Sequence, residues 1–246
     1  MLAHFLSRLN PQEVSRMAYR RTENVIRRLA ARHDAIIAAA GALAAETGIN
    51  AVQIGPVAER AGIAAGTVYR YFPSKTDVIA ALVVSVSERE IGAMQRAADA
   101  APGPLSALAA AITTFAARAL SQRKLIFALV AEPVEAGLDE ARLTFRAAIA
   151  AEIGKRLSAA MKGRQLPEQD IAVAAPALVG ALIEGLVGPL AATASDDALK
   201  MRDAVQTLTL FALRAVGVVD AHARGLVVQT RMPAREKAGW DGGPRG

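Results

Sequence analysis

Cysteine is absent from the 246 residues, and aromatic side chains make up only 4% of them. Without a thiol there is no disulfide framework, no thiolate nucleophile and no cysteine-type zinc or iron-sulfur site, which fits a reducing compartment. The three histidines, His4, His33 and His222, are scattered, and there is no HExxH pair, no G-x-S-x-G elbow and no phosphate-binding glycine loop. His33 and Asp34 are chain neighbours expected on different helix faces. The chain is therefore read as a non-enzyme without cofactor or metal. A secretory signal is also missing, because the first 30 residues hold six arginines and no long apolar run, so the expected location is cytoplasmic. Neither strand alternation nor an internal repeat is found.

What is abundant is alanine, 56 residues, which favours helix while burying little area per residue. The longest weakly polar stretch, Ile171 to Ala192, has the length of a membrane span but is built from Ala, Gly and Pro around Glu184, and it is read as a buried helix. The net charge of +6 is unevenly placed: residues 1–80 carry a net +4, residues 81–220 a net −1, and residues 221–246 a net +3. Basic ends on a neutral body suit a nucleic-acid binder with a second task.

Helix punctuation divides the chain. A basic arm, 1–29, carries one start signal at Asn10-Pro11 with Glu13. Thr22 is a candidate cap for the next helix, whose apolar face includes Leu29, Ile36, Ala40 and Leu43 and which Gly48 stops. Short helices are expected at about Ile54–Ala61 and Ala65–Phe72, followed by a long one capped by Ser74 and Asp77 and running toward Asp99. Pro102-Gly103-Pro104 marks a seam. Beyond it lie a stripe of Leu105, Leu108, Ile112, Phe115 and Ala119, another of Leu143, Ala147, Ala150, Ile153, Leu157 and Met161, and two final long helices apolar on more than one side. Such helices must be covered all round, which points to a homodimer formed through them. The tail, 220–246, reads as flexible.

The stretch Gln53 to Lys75, QIGPVAERAGIAAGTVYRYFPSK, is the most informative. Two short helices cross tightly only over a small residue, here Ala58, and the turn between them needs a residue tolerant of positive φ, here Gly62. Val57, Ala61, Ile63, Val68 and Tyr71 fall where such a pair buries side chains. This is the helix-turn-helix pattern, whose second helix enters the DNA major groove. On it, Arg70 suits a bidentate contact to guanine, Thr67 a thymine methyl or a phosphate, and the hydroxyls of Tyr69 and Tyr71 the backbone oxygens. Lys75 opens the next helix, where free amides already favour a phosphate.

The run AGIAAGTVYRYFPSK, following an amphipathic helix that ends in GIN, resembles the DNA-binding domain of the TetR/AcrR family of bacterial transcriptional regulators over about residues 30–80. The resemblance implies an all-α homodimeric repressor: an N-terminal three-helix helix-turn-helix domain, 30–80, and a C-terminal helical effector-binding and dimerisation domain, 81–219. It carries the family's DNA contacts onto Ala65, Gly66, Thr67, Tyr69, Arg70, Tyr71 and Lys75. Two positions depart from the pattern. Gln53 and Ile54 stand where relatives usually start the helix with threonine, leaving the phosphate contact to the Gln53 amide. Ala65 replaces a frequent lysine or polar residue, which shifts weight to Arg70, Thr67 and DNA shape. The arginine-bearing arm reads either as an added DNA contact or as a solvated tail.

By the same resemblance the second domain holds a small-molecule effector. Met94, Phe115, Ile126, Phe127, Val130 and Phe145 are the candidate pocket, with Glu132 and Arg142 as candidate polar anchors. Residues 81–220 contain no Trp and no Tyr, so capture of a large cation by aromatic faces has little material, and a neutral or anionic apolar effector fits better. The competing reading is a non-specific architectural DNA-binding protein, which basic ends and few base-reading residues would also suit. A membrane-associated protein would need Ile171–Ala192 to enter lipid.

Overall fold

Gly48, at φ +92, ends a first helix, α1 (Pro11–Thr47), that no residue interrupts. Thr22 lies inside this helix and not at its start: no proline follows Pro11 within it, and the one glycine, Gly41, is tolerated because that face is buried. The computed structural model describes residues 11–132, 138–189, 191 and 197–234, with side chains from residue 24 onward. After a 3-10 turn at Ile49–Ala51 come α2 (Ile54–Arg60) and α3 (Ala65–Tyr69), and then α4 (Lys75–Asp99). Ser74 and Asp77 cap α4 reciprocally, as read: the Asp77 N–H donates to Ser74 Oγ at 3.2 Å and the Ser74 N–H to Asp77 Oδ2 at 2.9 Å.

Six further helices complete the described part: α5 (Pro104–Ser121), α6 (Arg123–Val130), α7 (Asp139–Lys162), α8 (Ile171–Leu186), α9 (Ala198–Ala215) and α10 (Asp220–Gln229). The protein is all-α, and no strand occurs among the described residues. α5 lies at the centre against α4, α7 and α9. It is long and apolar enough to cross a membrane, yet 72% of it is buried inside the protein, as expected of a helix apolar all round that neighbours cover. The stretch singled out for that length in the sequence supplies only the 16-residue α8.

Two expectations are corrected. α10 falls within the segment read as flexible, and it packs on the core through Ala223, Leu226 and Val227. In α7 the predicted stripe holds only in its second half: Ile153 and Leu157 are buried and Met161 packs on the core, but Leu143 and Ala147 are exposed, and Phe145, Ile149, Glu152 and Arg156 face inward as well. The cause is a buried polar cluster. Arg156 Nε donates to Glu152 Oε1 at 2.6 Å, Arg156 Nη1 reaches Asp99 at 2.8 Å, and Gln95 of α4 donates to Glu152 at 3.3 Å. One turn away along α4, Arg118 of α5 holds the Glu90 carboxylate with two bonds of 2.7 and 2.9 Å. These charges tie α4, the helix that follows the N-terminal head, to α5 and α7.

Candidate nucleic-acid interface

The turn between α2 and α3 is built as its residues require. Gly62 sits at φ +66 while the Gly62 N–H reaches the Glu59 carbonyl at 3.1 Å and the Ile63 N–H the Ala58 carbonyl at 3.0 Å. This closes the helix end in the left-handed form that glycine adopts at low cost. Val57, Ala58 and Val68 are buried at the crossing, and Ala61, Ile63 and Tyr71 pack partly buried against the same core. From outside, Arg60 clasps Glu46 of α1 with bonds of 2.7 and 2.8 Å. Hydrogen bonds from this guanidinium hold the Glu46 carboxyl below its ordinary value.

With Val68 anchored, the rest of α3 turns outward. Ala65, Gly66, Tyr69 and Arg70 are exposed, with Tyr69 54% accessible, whereas Thr67, Tyr71 and Lys75 are half-buried. Nothing lies within 4 Å of where a Gly66 Cβ would stand, so a ligand backbone has a clear approach. Arg70 ends α3 with ordinary helical dihedrals. Gln53 precedes α2 in extended conformation, and its Nε2 donates to the Asn50 carbonyl at 3.0 Å, which leaves the side-chain oxygen outward. The face is polar, convex and short, the shape that fits a major groove.

α1 passes this face. The His33 ring lies 5.1 Å from that of Phe72, just beyond α3, and before it the helix bears the exposed residues Arg27, Arg28 and Arg32. Contrary to expectation, His33 Nδ1 also meets its neighbour Asp34, at 3.3 Å. The pair is half-exposed and near no cleft described below.

The candidate effector residues are placed otherwise than expected. Met94, Phe115, Ile126, Val130 and Phe145 are buried and Phe127 partly so, all within one contiguous core, and a ligand among them would require the helices to part. Arg142 and Glu132, the candidate polar anchors, are engaged within the protein: the Arg142 guanidinium donates to the Ala128 carbonyl at 2.7 Å and the Glu132 carbonyl at 2.6 Å, while the Glu132 carboxylate bonds to the N-terminal head. Burial lowers the Arg142 pKa. Open space lies elsewhere, in clefts of about 630 and 460 Å³ beside residues 226–234. Their lining, on residues that are mostly alanine, threonine or arginine, carries no apolar stripe for a sequence reading to detect. Among the described residues no cluster of metal-binding side chains occurs.

Residues 36–82 match the family of bacterial regulatory proteins called the tetR family. A repressor of that kind, the HTH-type transcriptional repressor KstR of Mycolicibacterium smegmatis, is 42% identical over 77 residues, which are 31% of this chain and 38% of the repressor. The curated relatives are thus matched over well under half of their length. Among solved structures, RolR in complex with resorcinol is 20% identical with a TM-score of 0.61, over 86% of this chain and 100% of RolR. The regulator FadR from Bacillus subtilis in complex with stearoyl-CoA is likewise 20% identical, TM-score 0.60, over 75% and 98% of the two chains. At that identity the structures establish the shared fold of head and helical body. The matched residues coincide with α1's buried half, the α2–Gly62–α3 turn and the start of α4, so the helix-turn-helix segment of this chain is of the kind found in the tetR family of bacterial regulatory proteins.

Proposed function

We propose that the protein is a homodimeric, ligand-responsive transcriptional repressor that acts in the cytoplasm, binds a palindromic operator and leaves it when a small effector binds. The observation that carries this is the exposed face of α3, with Gly66, Tyr69 and Arg70 turned outward on a rigidly packed turn. Ala65, Thr67, Tyr71 and Lys75 border the face, and Gln53 lies at the adjoining helix start. Arg70 reads a guanine; Thr67, the tyrosines, Lys75 and Gln53 hold phosphate. Arg27, Arg28 and Arg32 of α1 add phosphate contacts on flanking DNA.

Dimerisation is assigned to α8 and α9. Their outward surfaces expose Val173 (66%), Leu199 (71%) and Phe211 (52%), and α8 adds the small residues Ala177 and Gly180, over which another helix packs closely. The match to a repressor and the ligand-bound structures of RolR and FadR support repression and effector control. Selecting bound fragments from random DNA tests the reading. A single inverted-repeat motif, bound by a dimer far more tightly than random duplex, is the expected result. Sequence-independent binding would instead establish an architectural protein.

A further inference from the structure

The chain after α10 crosses the body without closing against it. Residues 229–234 run as a strap over the trough between α4 and α5, with the cleft of about 630 Å³ on one side and that of about 460 Å³, toward the start of α9, on the other. The strap is pinned at Leu226, which is buried, and at Met232, which packs on the core. The trough floor is shallow because its residues are small: Ala97 of α4 faces Ala110 and Thr114 of α5. The volume lies within the range of about 300–1,000 Å³ usual for small-molecule sites.

Among the described residues that line this space, the charge has one sign. Arg96 and Arg231 line the larger cleft, Arg202 and Arg231 the smaller, and neither has an aspartate or glutamate in its lining. Arg118 enters both clefts but has its charge matched by Glu90. Arg96, Arg202 and Arg231 differ from it: they make no hydrogen bond or ion pair with any described residue. Unmatched guanidiniums beside an apolar trough suit a ligand with an anionic head and an apolar body, since a cation would meet repulsion there. No tryptophan or tyrosine lines either cleft to hold a cation by its ring face.

We propose that the strap cleft binds an amphipathic carboxylate, its head held by Arg96 and Arg231 and its apolar body laid along the alanine trough beneath Met232. As an effector site it rests on the ligand-responsive reading above; as a binding site it stands independently. Isothermal titration of the full chain with dodecanoate, kept below its micellar concentration, tests it. Dodecyltrimethylammonium is the cationic control. Dodecanoate binds and the cation does not. The Arg96→Glu/Arg231→Glu double variant weakens dodecanoate binding about tenfold or more, whereas the lysine pair at the same positions retains most of it. Ala97→Trp fills the trough without touching charge and abolishes binding. Both kinds of variant keep the wild-type melting temperature and operator affinity, because Arg96 and Arg231 are exposed, Ala97 borders open space, and none of the three lies on α3. Failure of wild-type protein to bind dodecanoate, equal binding of the cation, or undiminished binding by Ala97→Trp overturns the proposal. Dodecanoate binding that obeys the variants yet leaves the operator complex intact upholds the site and rejects only the ligand-responsive reading.

Discussion

The carboxylate of Glu132 closes on the turn that begins at Gly48: Oε2 accepts the Ile49 N–H at 2.9 Å, and Oε1 stands 2.9 Å from where a Gly48 Cβ would be. Asn50 donates to the same group at 3.4 Å. Arg142 grips the carbonyl of Glu132, so the chain of contacts runs from α7 through the end of α6 to the end of α1. The helical body therefore reaches the head through one buttressed carboxylate as well as through α4.

Gly48→Ala is expected to destabilise the protein for two reasons at once: the φ of +92 disfavours any Cβ, and the new methyl meets Glu132. Left-handed backbone alone costs about 1–2 kcal/mol for an ordinary residue. Glu132→Ala leaves the Ile49 N–H without its acceptor, a loss of about 1–3 kcal/mol. In the double variant the methyl no longer has a carboxylate to strike, so the combined loss in chemical denaturation should fall short of the sum of the two. Strict additivity would show that the contact carries no energy.

Much of this molecule was legible in its residues. The Gly48 stop, the Ser74–Asp77 cap and the Ala58–Gly62 crossing are local rules, each needing only a few neighbouring positions, whereas the start expected at Asn10 lies outside the described residues. What escaped was non-local. Hydrophobic spacing found Ile153 and Leu157 on the inward face of α7 but missed Glu152 and Arg156, which meet Gln95 and Asp99, partners 57 residues away in sequence. Glu132 looked like a free anchor because its partners, Ile49 and Asn50, are 83 and 82 residues away in sequence. α10 was hidden behind glycines, and its burial depends on the core already being in place.

Glu90 and Arg118 offer a direct test of how the body is fixed. Glu90 is 1% exposed, and Arg118 Nε and Nη2 bind its two oxygens. Glu90→Ala strands a guanidinium in the interior and should cost about 3–5 kcal/mol of unfolding free energy. A paired replacement, Glu90→Leu with Arg118→Met, removes both charges together and is expected to recover most of that loss. Similar damage from the single and paired changes would mean that shape, not charge, holds α4 against α5.

The Glu46–Arg60 clasp gives a pH signature. Its carboxyl is held below the ordinary value of 4.5, chiefly by hydrogen bonds from Arg60. A lowered carboxylate pKa in the folded state means that the link stabilises fully above the unfolded value and fades as pH falls through the lowered one. Both groups face solvent, so the effect is small and screened by salt. Wild type and Glu46→Gln should therefore differ in melting temperature at pH 7 and converge in acid, and the gap should narrow at high ionic strength. A gap that persisted unchanged in acid would assign the difference to packing.

Arg70 and Lys75 separate the two ways in which the head can hold DNA. Arg70 stands at the exposed end of α3, the position proposed for base edges; Lys75 stands in the first turn of α4, where a helix N-terminus favours a phosphate. If Arg70 reads a guanine, Arg70→Ala costs about 1–3 kcal/mol on the selected operator and relaxes preference at one base pair per half-site. Its binding to random duplex should change far less. Lys75→Ala is expected to weaken operator and random DNA alike, because a phosphate contact carries no sequence information, and to lower the slope of log affinity against log salt by about one per subunit. Titrations over several salt concentrations on both duplexes measure all four quantities. Equal losses on both duplexes for Arg70→Ala would remove it from base readout and make it another backbone contact. An unchanged salt slope for Lys75→Ala would show that the α4 N-terminus holds phosphate through its amides alone.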